Sequence, residues 1–177
     1  PSRTVDPRAL LGGCRRYARV DLDAAVERYP ELVQARSLDS NAASPFAIAV
    51  GLRLSLSRDP RALGFFALGQ ASDFDEQAHE WHARAALWAG DWERARKAID
   101  AMPEALRNQN RWKYWSARVA DQLGDTGAAK QGYAAVMPTD NWYAVLSAAR
   151  LGKQFAPTFK PAGVSDDGMD RLAAEAP

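Results

Sequence analysis

The chain has 177 residues, of which 47% are hydrophobic and 25% are charged, and 23 basic side chains nearly balance 22 acidic ones. These values are typical of a globular protein with a sizeable core. They disfavour a nucleic-acid or anionic-membrane binder, because such proteins carry clustered excess positive charge. No stretch approaches the roughly 18 apolar residues of a membrane span. The single cysteine, Cys14, excludes an intramolecular disulfide and is interpreted as a small buried apolar residue.

The first predicted pair of elements is a helical hairpin near the N-terminus. Apolar residues at helical spacing indicate one helix over residues 7–19 and a second over residues 22–33, with Asp21 at the turn. Neither an initiator methionine nor a signal peptide precedes this hairpin. We therefore expect the sequence to be a processed or excised piece of a longer protein, so the missing signal peptide leaves the cellular location open.

A second hairpin is predicted from an apolar segment over residues 44–57. In this interpretation Ser44 caps the helix and Pro45 occupies its first position, where proline is favoured. Residues 58–60 form the turn, and a partner helix begins over residues 61–66. No alternation of apolar and polar residues in the chain is long enough to predict a strand.

The clearest pattern is an internal repeat with an offset of 34 residues. It aligns two segments that both begin with tryptophan, and six identities at one fixed offset exceed what chance provides. The matched positions are Trp81 and Trp115, Ala83 and Ala117, Arg84 and Arg118, Gly90 and Gly124, Asp91 and Asp125, Ala95 and Ala129, with Ile99 and Tyr133 sharing the next apolar position.

Each repeat unit is predicted to be a pair of antiparallel helices. Gly90 tolerates the left-handed backbone that a helix C-terminus needs, Asp91 can cap the following helix, and Pro103 prevents that helix from continuing. The matched alanines are small where two helices must approach closely. The period and the Gly-Asp turn are typical of tetratricopeptide hairpins. We therefore predict an all-α fold, a right-handed superhelix of antiparallel helical hairpins with a period of about 34 residues.

Another hairpin helix is predicted over residues 142–152, after which the helical pattern stops. Residues 155–168 contain two prolines and two glycines and indicate an extended connector, and residues 168–176 can form one more short helix. The predicted organisation is a helical-repeat domain over residues 1–156, followed over residues 157–177 by a linker and the start of a further helical segment.

Residues 75–156 resemble the closing repeats of the helical domain in soluble lytic murein transglycosylases. The resemblance includes an aromatic-rich helix start (RWKYWSAR) at residues 111–118 and Leu-Gly followed by Ala-Ala and Tyr at residues 123–133. It also includes Trp-Tyr ahead of Ala-Ala-x-x-Gly at residues 142–152. The preceding EWHARAAL with Gly-Asp-Trp, at residues 80–92, resembles the repeat that comes before these in the family.

The resemblance implies a non-catalytic helical domain of a periplasmic enzyme. Such enzymes cleave β-1,4 bonds between N-acetylmuramic acid and N-acetylglucosamine in peptidoglycan and leave 1,6-anhydromuramic products. Their hairpins form a superhelical ring onto which a lysozyme-like catalytic domain docks, and the Glu-Ser and Gly-Leu-Met-Gln elements of that domain do not occur in this sequence. The implied partners are glycan strands, through the parent enzyme, and the catalytic domain. No cofactor is implied, and we expect the chain alone to be inactive.

The alternative function is a tetratricopeptide-type adaptor that binds another protein in its concave groove. The full gene would distinguish the two functions. A signal peptide upstream and a lysozyme-like domain downstream would indicate the transglycosylase, whereas a stop codon directly after Pro177 would indicate the adaptor.

Glu80, His79 and His82 are the residues that come nearest to a catalytic or metal-binding pattern. A glycosidase acid is usually held protonated by an apolar setting, and Glu80 lies beside Trp81. On a helix, however, Glu80 also lies one turn before Arg84, which favours a solvated face or an ion pair. Histidines three residues apart can hold a metal, but two histidines in one helix are more often surface or interface residues. We therefore predict neither a catalytic residue nor a metal site.

The six tryptophans raise the possibility of glycan stacking, although at least four of them occupy positions that bury helix against helix. Trp88, Trp112 and Trp142 are the candidates for exposed glycan contacts. Four basic residues form a candidate basic strip, which a solvated helix face explains equally well: Arg111, Lys113, Arg118 and Lys130.

Overall fold

A computed structural model describes residues 7–157 of the protein. This part of the chain contains eleven α-helices and one short 3-10 helix and no strand, which confirms the predicted all-α fold. None of the described helices is both long and apolar enough to cross a membrane. The helices are α1 (Pro7–Val20), α2 (Leu22–Glu27), α3 (Tyr29–Ala35), α4 (Ser40–Leu56), α5 (Ala62–Phe66), α6 (Glu76–Ala89), α7 (Trp92–Asp100), α8 (Glu104–Arg107), α9 (Asn110–Gln122), α10 (Thr126–Val136) and α11 (Trp142–Arg150).

The first hairpin has the predicted turn but a divided second helix. Asp21 caps α2, since its Oδ1 accepts a hydrogen bond of 3.0 Å from the backbone N–H of Ala24. The prediction of one helix over residues 22–33 is wrong, because the chain breaks at Arg28 into α2 and α3. Pro30 lies in the first turn of α3 and has no N–H to continue the hydrogen bonds of α2.

Helix α4 begins earlier than predicted, and the prediction that Ser44 caps it is wrong. Asp39 is the cap, with its Oδ1 accepting from the N–H of Ala42 at 2.8 Å. Ser44 is fully buried inside the helix, and Pro45 is also interior. The Ser44 hydroxyl instead donates to Asp73 at 2.6 Å and accepts from the N–H of Gln70 at 2.8 Å. A tertiary contact, rather than a local helix cap, therefore explains why a serine occupies position 44.

The two matched repeat segments form two hairpins with the same turn geometry. Gly90, after α6, and Gly124, after α9, have φ angles of 68° and 85°. Asp91 accepts from the N–H of Arg94 at 2.9 Å, and Asp125 accepts from the N–H of Ala128 at the same distance. Only glycine adopts this left-handed backbone at little cost, so the Gly-Asp pair sets the reversal between the helices of each unit.

Two hydrophobic clusters hold the helices together. The main one includes Phe46, Phe66, Ile99 and Trp112, and it joins residues from α1 through α9. The second lies between α9 and α10 and contains Tyr114, Ala117, Ala129 and Tyr133. The repeat-position alanines of both hairpins are buried, which lets the paired helices approach closely: Ala83, Ala95, Ala117 and Ala129.

Gly132→Ala should destabilise the protein, because α9 and α10 touch at this residue. A Cβ atom at position 132 would lie 2.7 Å from the Cβ of Ala117, far inside normal contact. We expect the free energy of unfolding, measured by urea denaturation, to fall by about 1–3 kcal/mol. The matched control is Gly127→Ala in the exposed first turn of α10, which should be neutral or raise stability by about 0.5 kcal/mol. Equal losses from both changes would contradict the close approach.

The C-terminal helix of the described range is α11, as predicted for residues 142–152. Asn141 caps it by accepting from the N–H groups of Tyr143 and Ala144, and Gly152 ends it with a φ of 65°. Residues 153–157 have no regular secondary structure. The rest of the predicted connector over 155–168 and the predicted helix over 168–176 lie outside the described residues.

Candidate functional site

Trp88 lies at the end of α6 and is 44% exposed. It forms one wall of a cavity of about 270 Å³, and we call this cavity the Trp88 pocket. The guanidinium of Arg58 lies 5.0 Å from the centre of the Trp88 ring. Asp59 and Pro60 from the α4–α5 turn and Leu63 from α5 line another side. An exposed aromatic face beside a cation and a carboxylate can take up a polar ring, such as a sugar, by stacking and hydrogen bonding.

The α4–α5 turn is held in a strained form that points its charged residues toward the pocket. Arg58 has a φ of 56°, which is rare for a residue other than glycine. Its N–H donates to the carbonyl of Ser55 at 3.0 Å, and the N–H of Asp59 donates to that of Leu54 at 3.0 Å. The sequence indicated the turn but not its place beside Trp88, because no local pattern relates residues on separate hairpins.

The carboxyl group of Asp59 is held in its ionised form rather than its protonated form. Hydrogen bonds from the Arg61 side chain lower the pKa of the Asp59 carboxyl below its usual value. The Arg61 guanidinium lies 2.7 Å from Asp59 and 2.9 Å from Asp23. Protonating a glycosidic oxygen requires a carboxyl group with a raised pKa. The Trp88 pocket therefore has the groups to bind a ligand but lacks the acid that would cleave a glycosidic bond.

Trp112 cannot contact a glycan, so its proposed role is wrong. Its ring is only 1% exposed and belongs to the main core cluster. The guanidiniums of Arg84 and Arg111 lie 5.5 Å and 5.7 Å from the ring centre. Trp142, in contrast, is 67% exposed at the start of α11. Of the three candidates, Trp88 and Trp142 remain accessible.

Glu80 forms two ion pairs, one within α6 and one that joins α6 to α9. Its Oε2 accepts from Arg84 at 3.0 Å, which is the i,i+4 pair anticipated from the sequence, and its Oε1 pairs with Arg111. The Glu80 side chain is 16% exposed, so it does not lie on a solvated face. Both carboxylate oxygens are occupied by guanidinium donors, which leaves neither free to protonate a substrate.

His79 and His82 are parts of an aromatic cluster between α5 and α6. The His82 ring stacks on Phe66 with 4.9 Å between ring centres, and the buried His79 ring lies 5.3 Å from Phe74. Burial lowers the pKa of His82 to about 4 and also lowers that of His79. Within residues 7–157, no three His, Cys, Asp or Glu side chains are grouped so that they could hold a metal ion.

The candidate basic strip is divided by ion pairs. Arg111 pairs with Glu80, and Arg118 pairs with Asp121 at 2.7 Å. Lys113 and Lys130 are exposed. The two arginines therefore serve contacts within the protein, and the strip is not a continuous surface of free cations.

Comparisons with known proteins give structural matches only. No protein-family model matches the sequence, and no curated protein matches it. The lytic transglycosylase Slt of Pseudomonas aeruginosa, solved as an inactive mutant, is similar with a TM-score of 0.75 and 27% identity over 90% of this chain. The 70-kDa soluble lytic transglycosylase of Escherichia coli is similar with a TM-score of 0.69 and 20% identity over 93%. A 70-kDa soluble lytic transglycosylase in complex with bulgecin A gives a TM-score of 0.66 and 20% identity over 97%.

The chain spans only part of each of these enzymes. It covers 26% of the Pseudomonas chain, 28% of the Escherichia coli chain and 30% of the chain in the bulgecin A complex. The two matches at 20% identity establish the fold alone, whereas the Pseudomonas match adds a moderate sequence likeness. The resemblance to soluble lytic transglycosylases that the sequence indicates is thus confirmed by the structure, and the chain has the fold of a helical-superhelix portion of these enzymes.

Proposed function

We propose that the chain is the non-catalytic helical scaffold domain of a periplasmic soluble lytic transglycosylase. The observation that carries the proposal is the match to the Pseudomonas aeruginosa enzyme over 90% of this chain at 27% identity. The parent enzyme would cleave β-1,4 bonds between N-acetylmuramic acid and N-acetylglucosamine and leave 1,6-anhydromuramic products. The scaffold would shape access to a lysozyme-like catalytic domain docked against it.

Side-chain chemistry supports a role other than catalysis for this part of the enzyme. Glu80 is committed to two guanidiniums, and Arg61 keeps Asp59 ionised. The accessible aromatic groups, Trp88 in its pocket and Trp142 on α11, are suited to stacking on sugar rings. In the proposed function they guide glycan strands past the scaffold.

The isolated chain should release no anhydromuropeptides from purified sacculi. The assay is chromatography of the soluble products after incubation with the chain, with a complete lytic transglycosylase as the positive control. The physical reason is that the Glu80 carboxylate is paired with two guanidiniums and that hydrogen bonds from Arg61 lower the pKa of Asp59. Release of anhydromuropeptides by the chain would contradict the non-catalytic role.

The scaffold function and the adaptor function predict different sequences on either side of this chain in its gene. A signal peptide and a lysozyme-like domain encoded in the same reading frame would support the transglycosylase scaffold. A reading frame with neither, together with binding of a partner protein and no binding to sacculi in a pull-down, would support the tetratricopeptide-type adaptor instead.

A further inference from the structure

A second cavity, of about 350 Å³, lies between α1, α4 and α6, and we call it the arginine cavity. Arg15 and Arg19 line it from α1, and Arg53 lines it from α4. Its volume falls within the range of small-molecule binding sites, which begins at roughly 300 Å³. It is distinct from the Trp88 pocket, since the two share no lining residue.

The three guanidiniums of the arginine cavity form no ion pair within the described part of the chain. Arg15 and Arg19 are one helical turn apart, an arrangement in which like charges repel. Arg53 is half-buried, and its Nε is shielded from solvent without a hydrogen-bond partner. A buried donor without an acceptor is costly, so the cavity favours an anion that would satisfy it.

The other walls of the arginine cavity are mixed in character. Leu52, Leu56 and Trp81 provide apolar surface, and Leu56 is 54% exposed. Asp75 and Gln77 supply polar groups at the start of α6. A small inorganic anion would leave the apolar walls in water and would meet the Asp75 carboxylate. A ligand with carboxylates, an apolar stem and N–H donors would use all of these groups.

We propose that the arginine cavity binds a short acidic peptide through its free carboxylates. Guanidinium groups match the planar carboxylate with two parallel hydrogen bonds, and the positions of Arg15, Arg19 and Arg53 allow more than one carboxylate to be paired. The apolar walls take the side-chain stems, the Asp75 carboxylate accepts from the peptide N–H groups, and the Gln77 amide accepts from N–H groups or donates to carbonyl oxygens. The proposal does not depend on the scaffold function, because it concerns only the ligand chemistry of this cavity.

The test is isothermal titration calorimetry of the 177-residue chain at low ionic strength with the dipeptide alanyl-glutamate. The matched probe is alanyl-glutamine amide, which has the same length without a carboxylate. We expect alanyl-glutamate to bind and the amide to bind at least about tenfold more weakly, since charge-assisted hydrogen bonds are lost. Equal binding of both probes, or no binding of alanyl-glutamate, would overturn the proposal.

Substitutions of the lining arginines test whether alanyl-glutamate binds in the arginine cavity. Arg53→Gln and Arg15→Gln should each weaken alanyl-glutamate binding about tenfold. Arg16→Gln on the same helix is the control, because Arg16 is exposed and does not line the cavity. Arg15 is also exposed, so its replacement keeps the test valid even where Arg53→Gln impairs folding. Equal losses for Arg15→Gln and Arg16→Gln, or inorganic phosphate binding more tightly than the dipeptide, would overturn the assignment.

Discussion

Glu80→Gln should lower the free energy of unfolding by about 2–3 kcal/mol in urea denaturation at neutral pH. The change keeps the shape of the side chain but removes its negative charge, so Arg84 and Arg111 then face each other over Trp112 without a counter-charge. Breaking a fully buried ion pair costs about 3–5 kcal/mol, and the partial exposure of both arginines reduces this value.

The control for Glu80 is Glu93→Gln in α7. Glu93 forms an ion pair with Arg96 at 2.7 Å, but both side chains are more than half exposed. Exposed pairs of this kind contribute little, so we expect a change of at most about 0.5 kcal/mol. A loss for Glu80→Gln as small as that for Glu93→Gln would show that the link between α6 and α9 does not stabilise the fold.

The stability of the protein should fall as the pH is lowered from 6.5 toward 4 because of His82. Its pKa is about 4 in the folded protein against an ordinary value of 6.5, owing first to burial and then to the positive charges of His79 and Arg94. The unfolded chain therefore binds a proton that the folded chain excludes. The full contribution of neutral His82 is present above pH 6.5, and about 2 kcal/mol of it is lost by pH 5.

His82→Phe provides the test of this pH dependence. Phenylalanine keeps a flat ring against Phe66 and Phe74 but cannot take up a proton. Chemical denaturation between pH 7.5 and pH 5 should show a flatter stability profile for the variant than for the unmodified protein. The comparison between the two proteins cancels the titration of carboxylates such as Asp59, which contributes at lower pH. Parallel profiles would contradict the role given to His82.

Features encoded within a few residues were predictable from the sequence. The Gly-Asp turns illustrate this, because a left-handed glycine and a capping aspartate act through the local backbone. The start of α4 was misjudged for the opposite reason. Ser44 and Pro45 look like a helix start, but Ser44 is buried and bonded to Asp73, a partner 29 residues away. No local pattern distinguishes a capping serine from one that makes such a distant bond.

The candidate site was predictable only in part. Trp88 and Trp142 are exposed, whereas Trp112 is buried, although all three were equal candidates for exposed glycan contacts from the sequence. The difference depends on how α9 is rotated against α6, which is fixed by contacts such as that between Glu80 and Arg111. The arginine cavity was missed for a similar reason, since Arg53 and the two arginines of α1 meet only through helix packing.

The order of helix packing along the chain has a mechanical consequence. Each substantial contact joins helices no more than three positions apart in the described sequence of elements, as between α1 and α4 or α7 and α9. Among residues 7–157, no substantial contact therefore joins the first helices to the last ones. Small rotations at successive interfaces add up to a change in curvature while each interface stays intact. We therefore expect the described portion to bend gradually along its length rather than at a single hinge.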